Sequence, residues 1–331
     1  MERKDLEKDV GAGELSCYMM KVIEGLKSDR KYPAVHTYTS TLHSFADFSG
    51  GREVALPMRE VFTPGRLKEY ENWLLVQCKL SLNTVSTYMR TLQAVYNRWM
   101  PLGRAGHNPK LFDDVYTRVE SHTKRALTEQ QMQRLMYAET ASLSGEQKKI
   151  LAYFVLMFLF RGMPFIDLAH LRKNDVKGNT IIYRRHKTGK QMTVHIPKEA
   201  VLLIHEFREK NPQSIYLFPI LDARLCEGQE LYKCYQDALR RFNKSLGGLM
   251  RLLLPGVRVS SYTARHTWAT LAFYMGMPVG IICQSLGHSS VRVTETYLKP
   301  FENERIDKAN RKLISSVRKC KWGNNVAHNT L

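Results

Sequence analysis

The stretch SYTARHTWATLA, residues 261 to 272, is followed by QSLGH at 284 to 288 and by TETYL at 294 to 298. A serine opens the first of these, and Ser261 in the cap position starts a helix. Tyr262 and Arg265, three residues apart, then project from one face near the partly positive N-terminal end. Such an end suits a phosphate. Gly287 closes the next helix, because glycine takes the left-handed turn that ends one, and this leaves His288 just past the helix end. Tyr297 follows nine residues later. Phosphodiester exchange needs a nucleophile, cations to neutralise the non-bridging oxygens, and a proton donor for the leaving oxygen. This third of the chain offers candidates for each.

Working outward, Thr180 to Tyr183 and Met192 to Ile196 read as two short strands around the turn Thr188-Gly189. The run Ile150 to Phe160 is apolar over 11 residues and ends on Arg161. It predicts a buried core helix, since crossing a bilayer takes about 20 such residues. Helices dominate again after Pro197, with Gly247-Gly248 expected as a flexible point. Toward the N-terminus, Val35, Tyr38, Leu42, Phe45 and Phe48 recur at helical spacing until Gly50-Gly51. After the cap region Ser81 to Asn83, residues Val85, Tyr88, Met89, Leu92, Val95 and Tyr96 form a core stripe, with Ser86, Thr87, Arg90 and Asn97 on other faces. Thr87 and Arg90 are placed to track a DNA backbone, and a merely solvated face accounts for them as well.

Pro101, Gly103, Gly106 and Pro109 punctuate the chain, and the basic stretch His122 to Arg125 precedes a capping-box pattern at Thr128 to Gln131. The expected organisation is therefore a tail over 1–14, a helical domain over 15–106, a linker over 107–125 and a mixed domain over 126–331. The fold class is mainly α with a small β-sheet.

Composition sets the remaining bounds. The 331 residues are 44% hydrophobic and 24% charged, as in a soluble globular protein. Fifty Lys and Arg against 31 Asp and Glu give a formal charge of +19, which attracts polyanions, nucleic acid above all. A membrane surface is disfavoured as partner because no basic amphipathic stretch or lipidation signal is seen. The charged N-terminus has no apolar core of a secretory signal, so the cytoplasm is the expected location. Six scattered cysteines without a C-x-x-C pair, and 11 histidines without a pair at ligand spacing, point to no disulfide framework and no structural metal. No cofactor and no small-molecule substrate are expected.

With these residues in view, the chain resembles the tyrosine recombinase (phage integrase) family, whose second box reads approximately H-x-x-R-H-x-x-A-T, followed by L-G-H and a tyrosine nine residues on. Arg265 falls on the box arginine, His288 on the L-G-H histidine and Tyr297 on the nucleophile, with 23 residues from Arg265 to His288. Lys187, in RRHKTGK at 184 to 190, sits where the family places its hairpin lysine, flanked by Arg184 and Lys190 as backbone contacts. NTVSTY at 83 to 88 resembles the N-terminal core-binding (SAM-like) domain of integrases.

Two departures stand out. Tyr262 occupies the position of the box histidine, where its phenol can still donate a hydrogen bond. Aligning Asp167-Leu168 on the family's G-L-R-x-x-E-L pattern puts Pro164 at the first arginine, and Arg161, about one helical turn back, is the cation expected to replace it. Asp167 is assigned a supporting role, as is His266, which helps hold its helix, while Trp268 and Phe273 belong to the core. The R-G-M-P-F-x-D-L form looks like the integrases and invertases of the Bacteroides group.

The resemblance implies a site-specific recombinase that cleaves and rejoins double-stranded DNA through a 3′-phosphotyrosyl bond at Tyr297, for integration, excision or inversion. Arg265 and Arg161 would clamp the phosphate, Lys187 would protonate the leaving oxygen, and His288 would assist Arg265, with neither ATP nor a metal. It also implies a homo-tetramer on two DNA sites, in which the apolar seam Ile306, Leu313 and Val317 of a C-terminal helix docks on a neighbouring protomer. The alternatives are an architectural DNA-binding protein on the same fold and a type IB topoisomerase-like relaxing activity.

Overall fold

The structure is a computed structural model that describes residues 13–120, 125–225, 227–296, 298 and 303–322, with side chains of the last helix described over 306–318. Tyr297, the tail 1–12 and the basic residues His122 to Lys124 lie outside the described residues. The chain divides into two compact units, Met1–His122 and Thr123–Leu331.

The N-terminal unit is helical throughout. Helix α1 (Leu15–Ser28) buries Leu15, Met19, Ile23 and Leu26, one stripe at helical spacing. Helix α2 (Tyr32–Phe48) has a proline in its first turn, where a missing N–H does no harm, and buries Val35, Leu42 and Phe45. After α3 (Met58–Val61) and α4 (Pro64–Asn72), the chain widens into a π-type turn, Trp73–Gln77. Helix α5 (Leu82–Trp99) starts where the Ser81 hydroxyl accepts from the Thr84 N–H at 3.3 Å. Of its expected stripe, Val85, Met89, Leu92, Val95 and Tyr96 are buried and Tyr88 is half-buried against them.

Two expectations fail in this unit. Ser86, assigned to the polar face, is fully buried and its hydroxyl has no hydrogen-bond partner among the described residues. The reason is that α5 is covered on more than one side, by α2 and by α4, so its buried arc is wider than one stripe. The stretch read as linker is also held on the unit as far as Glu120. Leu111, Phe112 and Val115 join the core. The buried Glu71 carboxylate accepts from the Tyr116 N–H. Asn83 brackets Glu120, accepting from its N–H at 2.8 Å and donating to its carbonyl at 3.0 Å.

The C-terminal unit begins with α6 (Glu129–Met136), whose capping box at Thr128 and Gln131 is present as expected, and α7 (Gly145–Leu159), capped by Ser144. Every residue of α7 from Ile150 to Met157 is buried, because α9, α10 and α11 all pack on it. Next come α8 (Phe165–His170) and a three-stranded antiparallel sheet of β1 (Val176–Lys177), β2 (Thr180–Arg184) and β3 (Gln191–His195) in that order. Arg184 pairs with Gln191, so six residues form the hairpin loop. The rest is helical: α9 (Lys198–Phe207), α10 (Gly228–Leu253), α11 (Ser261–Tyr274), α12 (Val279–Leu286), α13 (Val291–Glu295) and α14 (Asn303–Trp322). The class is thus mainly α with a small sheet. Among the described residues no helix is long and apolar enough to cross a membrane.

Gly247 and Gly248 mark no break, for both lie inside α10. Each costs about 1 kcal/mol against alanine, and the buried neighbours Leu246, Leu249 and Met250 outweigh this, at about 1.5–3 kcal/mol for each large apolar side chain. Helix α14 is different. Every side chain described on it is exposed, including Ile306, Leu313, Ile314 and Val317.

Candidate active site

The turn after α7, the start of α8, the β2–β3 hairpin and the facing parts of α11 and α12 meet in one place. Helix α7 stops at Leu159, and Arg161 and Gly162 both take left-handed backbone angles, φ 58° and 69°. Arg161 is therefore not on the helix end, as expected, but in the turn beyond it, with Nη1 leaning to the Thr193 carbonyl of β3 at 3.4 Å. At Gly162 a Cβ would stand 3.1 Å from Arg265 Cα and 3.3 Å from Leu286 Cδ2. Only a glycine combines that approach with that φ without strain.

Helix α11 is capped one residue earlier than expected, by Ser260, whose N–H bonds the Thr263 hydroxyl at 3.0 Å, while the Ser261 N–H goes to Asn243 Oδ1 at 2.8 Å. Thr267 on the same helix accepts from the Leu127 N–H at 2.9 Å. Arg265, 2% exposed, reaches across the gap. Its Nη1 donates to the Gly162 carbonyl at 2.8 Å, and its Nη2 to the Leu286 carbonyl at 2.6 Å and to His288 Nε2 at 2.8 Å. Helix α12 ends as expected in a left-handed Gly287, and the His288 N–H turns back to the Cys283 carbonyl at 3.0 Å. On its other side, His288 Nδ1 meets the Thr294 hydroxyl of α13 at 2.9 Å.

Arg185 was not anticipated. It is 5% exposed, and its Nη1 donates to the carbonyls of Leu286 and Gly287, both at 2.9 Å. Its Nε faces Asp167 Oδ2 at 3.5 Å, and its Nη2 has no hydrogen bond among the described residues. The signal lay in the strand period. Ile181 and Tyr183 point inward, and Arg185 continues that alternation two residues on, while Arg184, on the other parity, is exposed and donates to the Gly189 carbonyl at 3.2 Å. Asp167 is what holds the hairpin in place, since its Oδ1 also accepts from the His186 N–H at 2.9 Å. Gly287 admits Arg185, because a Cβ there would lie 2.6 Å from Arg185 Cδ.

The buried Asp167 carboxylate thus faces Arg185 and also feels the charge of the buried Arg265. Burial pushes the Asp167 carboxyl above the usual range, against the pull of the His186 N–H, Arg185 and Arg265. His288 is pushed the other way, to about 3, first by burial and then by the charges of Arg265, Arg185, Lys187 and Lys190. Its imidazole is neutral at ordinary pH. Lys187 and Lys190 are exposed in the hairpin loop, near enough for their charge to act on that ring. His170 is lowered to about 4, chiefly by burial.

The other expected residues lie less centrally. Tyr262 does not share the face of Arg265: it is 41% exposed, with its ring edge-on to His266 at 5.4 Å, the pairing of residues four apart. Trp268 and Phe273 pack beside Ala269, Ala272, Ile282 and Leu286, as core residues should. In the N-terminal unit the Thr87 hydroxyl donates to the Asn83 carbonyl at 2.8 Å, and Arg90 is exposed. Chemically, the buried cluster is suited to a compact anion with several oxygens.

Residues 125–304 match the phage integrase family, and residues 14–111 match the phage integrase SAM-like domain. Among curated proteins, tyrosine recombinase XerA of Thermococcus kodakarensis is 27% identical over 197 residues, 58% of this chain and 64% of that protein. Tyrosine recombinase XerA of Pyrococcus furiosus is 24% identical over 193 residues, 56% of this chain and 62% of that one. The chain therefore spans somewhat under two thirds of the length of these relatives. Among solved structures, the Tn1549 transposon integrase in complex with transposon right end DNA has a TM-score of 0.63 at 15% identity, covering 91% of this chain and 100% of that one. A lambda integrase dimer bound to a COC′ core site has a TM-score of 0.60 at 14% identity, covering 89% and 79%. These two likenesses concern the fold.

Proposed function

The chain belongs to the phage integrase family, and on that premise we propose that it is a site-specific tyrosine recombinase acting on double-stranded DNA. The observation that carries this is the buried pair Arg265 and Arg185, which converge on the Leu286 carbonyl beside His288 and the exposed Lys187 and Lys190. Guanidiniums gathered in one place, beside a neutral histidine and two exposed lysines, favour an anion with several oxygens. A scissile phosphate fits that demand.

In this reading Tyr297 attacks the phosphate and forms the 3′-phosphotyrosyl bond while the 5′ oxygen leaves. Arg265 and Arg185 neutralise the non-bridging oxygens, Arg185 through Nη2, which has no hydrogen bond among the described residues. Arg161 stands at the rim, a second candidate for the phosphate. Lys187, on the mobile scale of a hairpin loop, protonates the leaving oxygen, and Lys190 and Arg184 meet the neighbouring backbone. His288 orients Arg265, and Tyr262 with His266 lines the approach along α11. Attack of a second 5′-hydroxyl on the phosphotyrosyl bond reverses the step, so no ATP is consumed and the positive charge comes from side chains. Thr87 and Arg90 of the N-terminal unit contact DNA. The exposed apolar side chains Ile306, Leu313, Ile314 and Val317 of α14 dock on a neighbouring protomer, in a homo-tetramer on two sites. The setting is the cytoplasm, on nucleoid DNA, and the outcome is integration, excision or inversion.

The test uses a nicked, suicide-type duplex taken from the junction of a mapped inversion or insertion. A phosphotyrosyl peptide mapping to Tyr297, and no adduct with Tyr297→Phe, is the expected result. An adduct at another residue, or one that survives that change, overturns the assignment. Relaxation of supercoiled DNA without recombinant product would point to a topoisomerase instead.

A further inference from the structure

We infer that Thr294 is a positioning residue: its hydroxyl fixes which nitrogen of His288 carries the proton, and through that the aim of Arg265. The inference rests on the recombinase reading above, and it starts from donor and acceptor rules. A guanidinium has donors only. Where Arg265 Nη2 meets His288 Nε2 at 2.8 Å, the ring nitrogen must therefore accept. The neutral imidazole then has its one proton on Nδ1, and Nδ1–H donates to the Thr294 hydroxyl oxygen at 2.9 Å. Thr294 is fully buried, so water does not stand in for it.

The bonds form a single line, from Thr294 through His288 and Arg265 to the Gly162 carbonyl. Take away the hydroxyl, and Nδ1–H loses the acceptor that faces it in a buried place. The ring escapes that penalty by moving its proton to Nε2 or by turning. Either way a donor, or no group at all, then faces Arg265 Nη2, and the guanidinium shifts. Thr294 also lies on α13, three residues before Tyr297 in the chain. One hydroxyl thus ties the segment leading to the nucleophile to the arginine that holds the phosphate, so the arginine is aimed only while α13 is seated against α12.

The experiment compares the full chain with Thr294→Val, which keeps the shape and removes the hydroxyl, and with Thr294→Ser, which keeps the hydroxyl. Two-bond ¹H–¹⁵N spectra of histidine-labelled protein without DNA report the His288 tautomer. Wild type and Thr294→Ser are expected to show Nδ1–H, and Thr294→Val a shift toward Nε2–H. In single-turnover cleavage of a nicked duplex, Thr294→Val is expected to lose roughly tenfold to a hundredfold and Thr294→Ser less than about threefold, as for a misplaced group near the reacting centre. The idea is overturned if Thr294→Val keeps the wild-type tautomer, whatever its rate, or if Thr294→Ser loses as much rate as Thr294→Val. Should wild type itself form no adduct, the recombinase reading fails, and the spectra still decide where the proton sits.

Discussion

Glu71 in the N-terminal unit and Arg185 in the C-terminal unit are both buried, 3% and 5% exposed, and each pins a distant stretch of chain. Glu71 accepts from the Tyr116 N–H with one oxygen and pairs with Lys68 through the other, so its charge is met inside its own unit. Arg185 is bonded to two carbonyls and faces a carboxylate that also feels the charge of Arg265, so its bonds gather a second guanidinium rather than a matched pair. The first arrangement is complete as a structure. The second gathers cations where an anion is proposed to bind, so the contrast is between a charge met within its unit and charges set beside a proposed site.

The sharpest way to break the contrast is to remove each charge. Arg185→Ala is expected to lower single-turnover cleavage by on the order of 10²–10³, with DNA binding largely kept. Glu71→Gln is expected to lower the melting temperature and leave cleavage by the folded fraction near wild type. Arg161→Ala, with its long contact to the Thr193 carbonyl, is expected to lose less than about tenfold, on the scale of a rim group. If Arg161→Ala falls further than Arg185→Ala, the roles assigned to the two arginines must be exchanged.

A second pair of changes compares glycines in the C-terminal unit. Gly287→Ala drives a methyl group to 2.6 Å from Arg185 Cδ at a φ of +65°, and is expected to destabilise the fold by about 1–3 kcal/mol as overpacking does. Gly247→Ala meets nothing within 4 Å in the middle of α10 and is expected to stabilise by about 1 kcal/mol. Denaturant midpoints measured side by side would show the opposite signs, and a harmless Gly287→Ala would mean that the site has slack.

The smallest effect is in acid. His170 and His288 are held neutral, at about 4 and about 3, whereas an unfolded histidine takes its proton near ~6.5. As pH falls from about 6.5, the unfolded chain binds protons that the native chain refuses, so stability drops, the share of His170 down to about 4 and that of His288 down to about 3. Asp167, raised by burial, opposes this: as pH falls through its raised value the native state takes up a proton that the unfolded carboxyl binds only near ~3.9. Hydrogen exchange at pH 7 and pH 5, read peptide by peptide, is expected to show α8 and α12 opening more readily at the lower pH, and His170→Gln to reduce the change in α8.

The fold and the Arg265–His288 pair were legible because they rest on local rules: a serine cap, a glycine helix end and two strand-length alternations. What escaped depended on contacts distant in sequence. Ser86 looked polar on the helix wheel and is buried because a second helix covers α5. Arg161 was preferred for its nearness along the chain to the displaced position at Pro164, while Arg185 comes to the cluster from a hairpin 21 residues beyond Pro164. The inward parity of β2 carried that information, but a charged residue at an inward position is easily read as the end of the strand. The helix α10 ran through Gly247-Gly248 because its buried face, not its weakest residues, decides continuity.

The Leu286 carbonyl accepts from both Arg185 and Arg265. That oxygen belongs to the main chain, so no codon change at position 286 removes it. Arginines from two different elements use this one anchor, Arg185 from the hairpin and Arg265 from α11. Lineages in which the side chains around this point differ should then keep the helix end itself, and its geometry is the thing to compare among them.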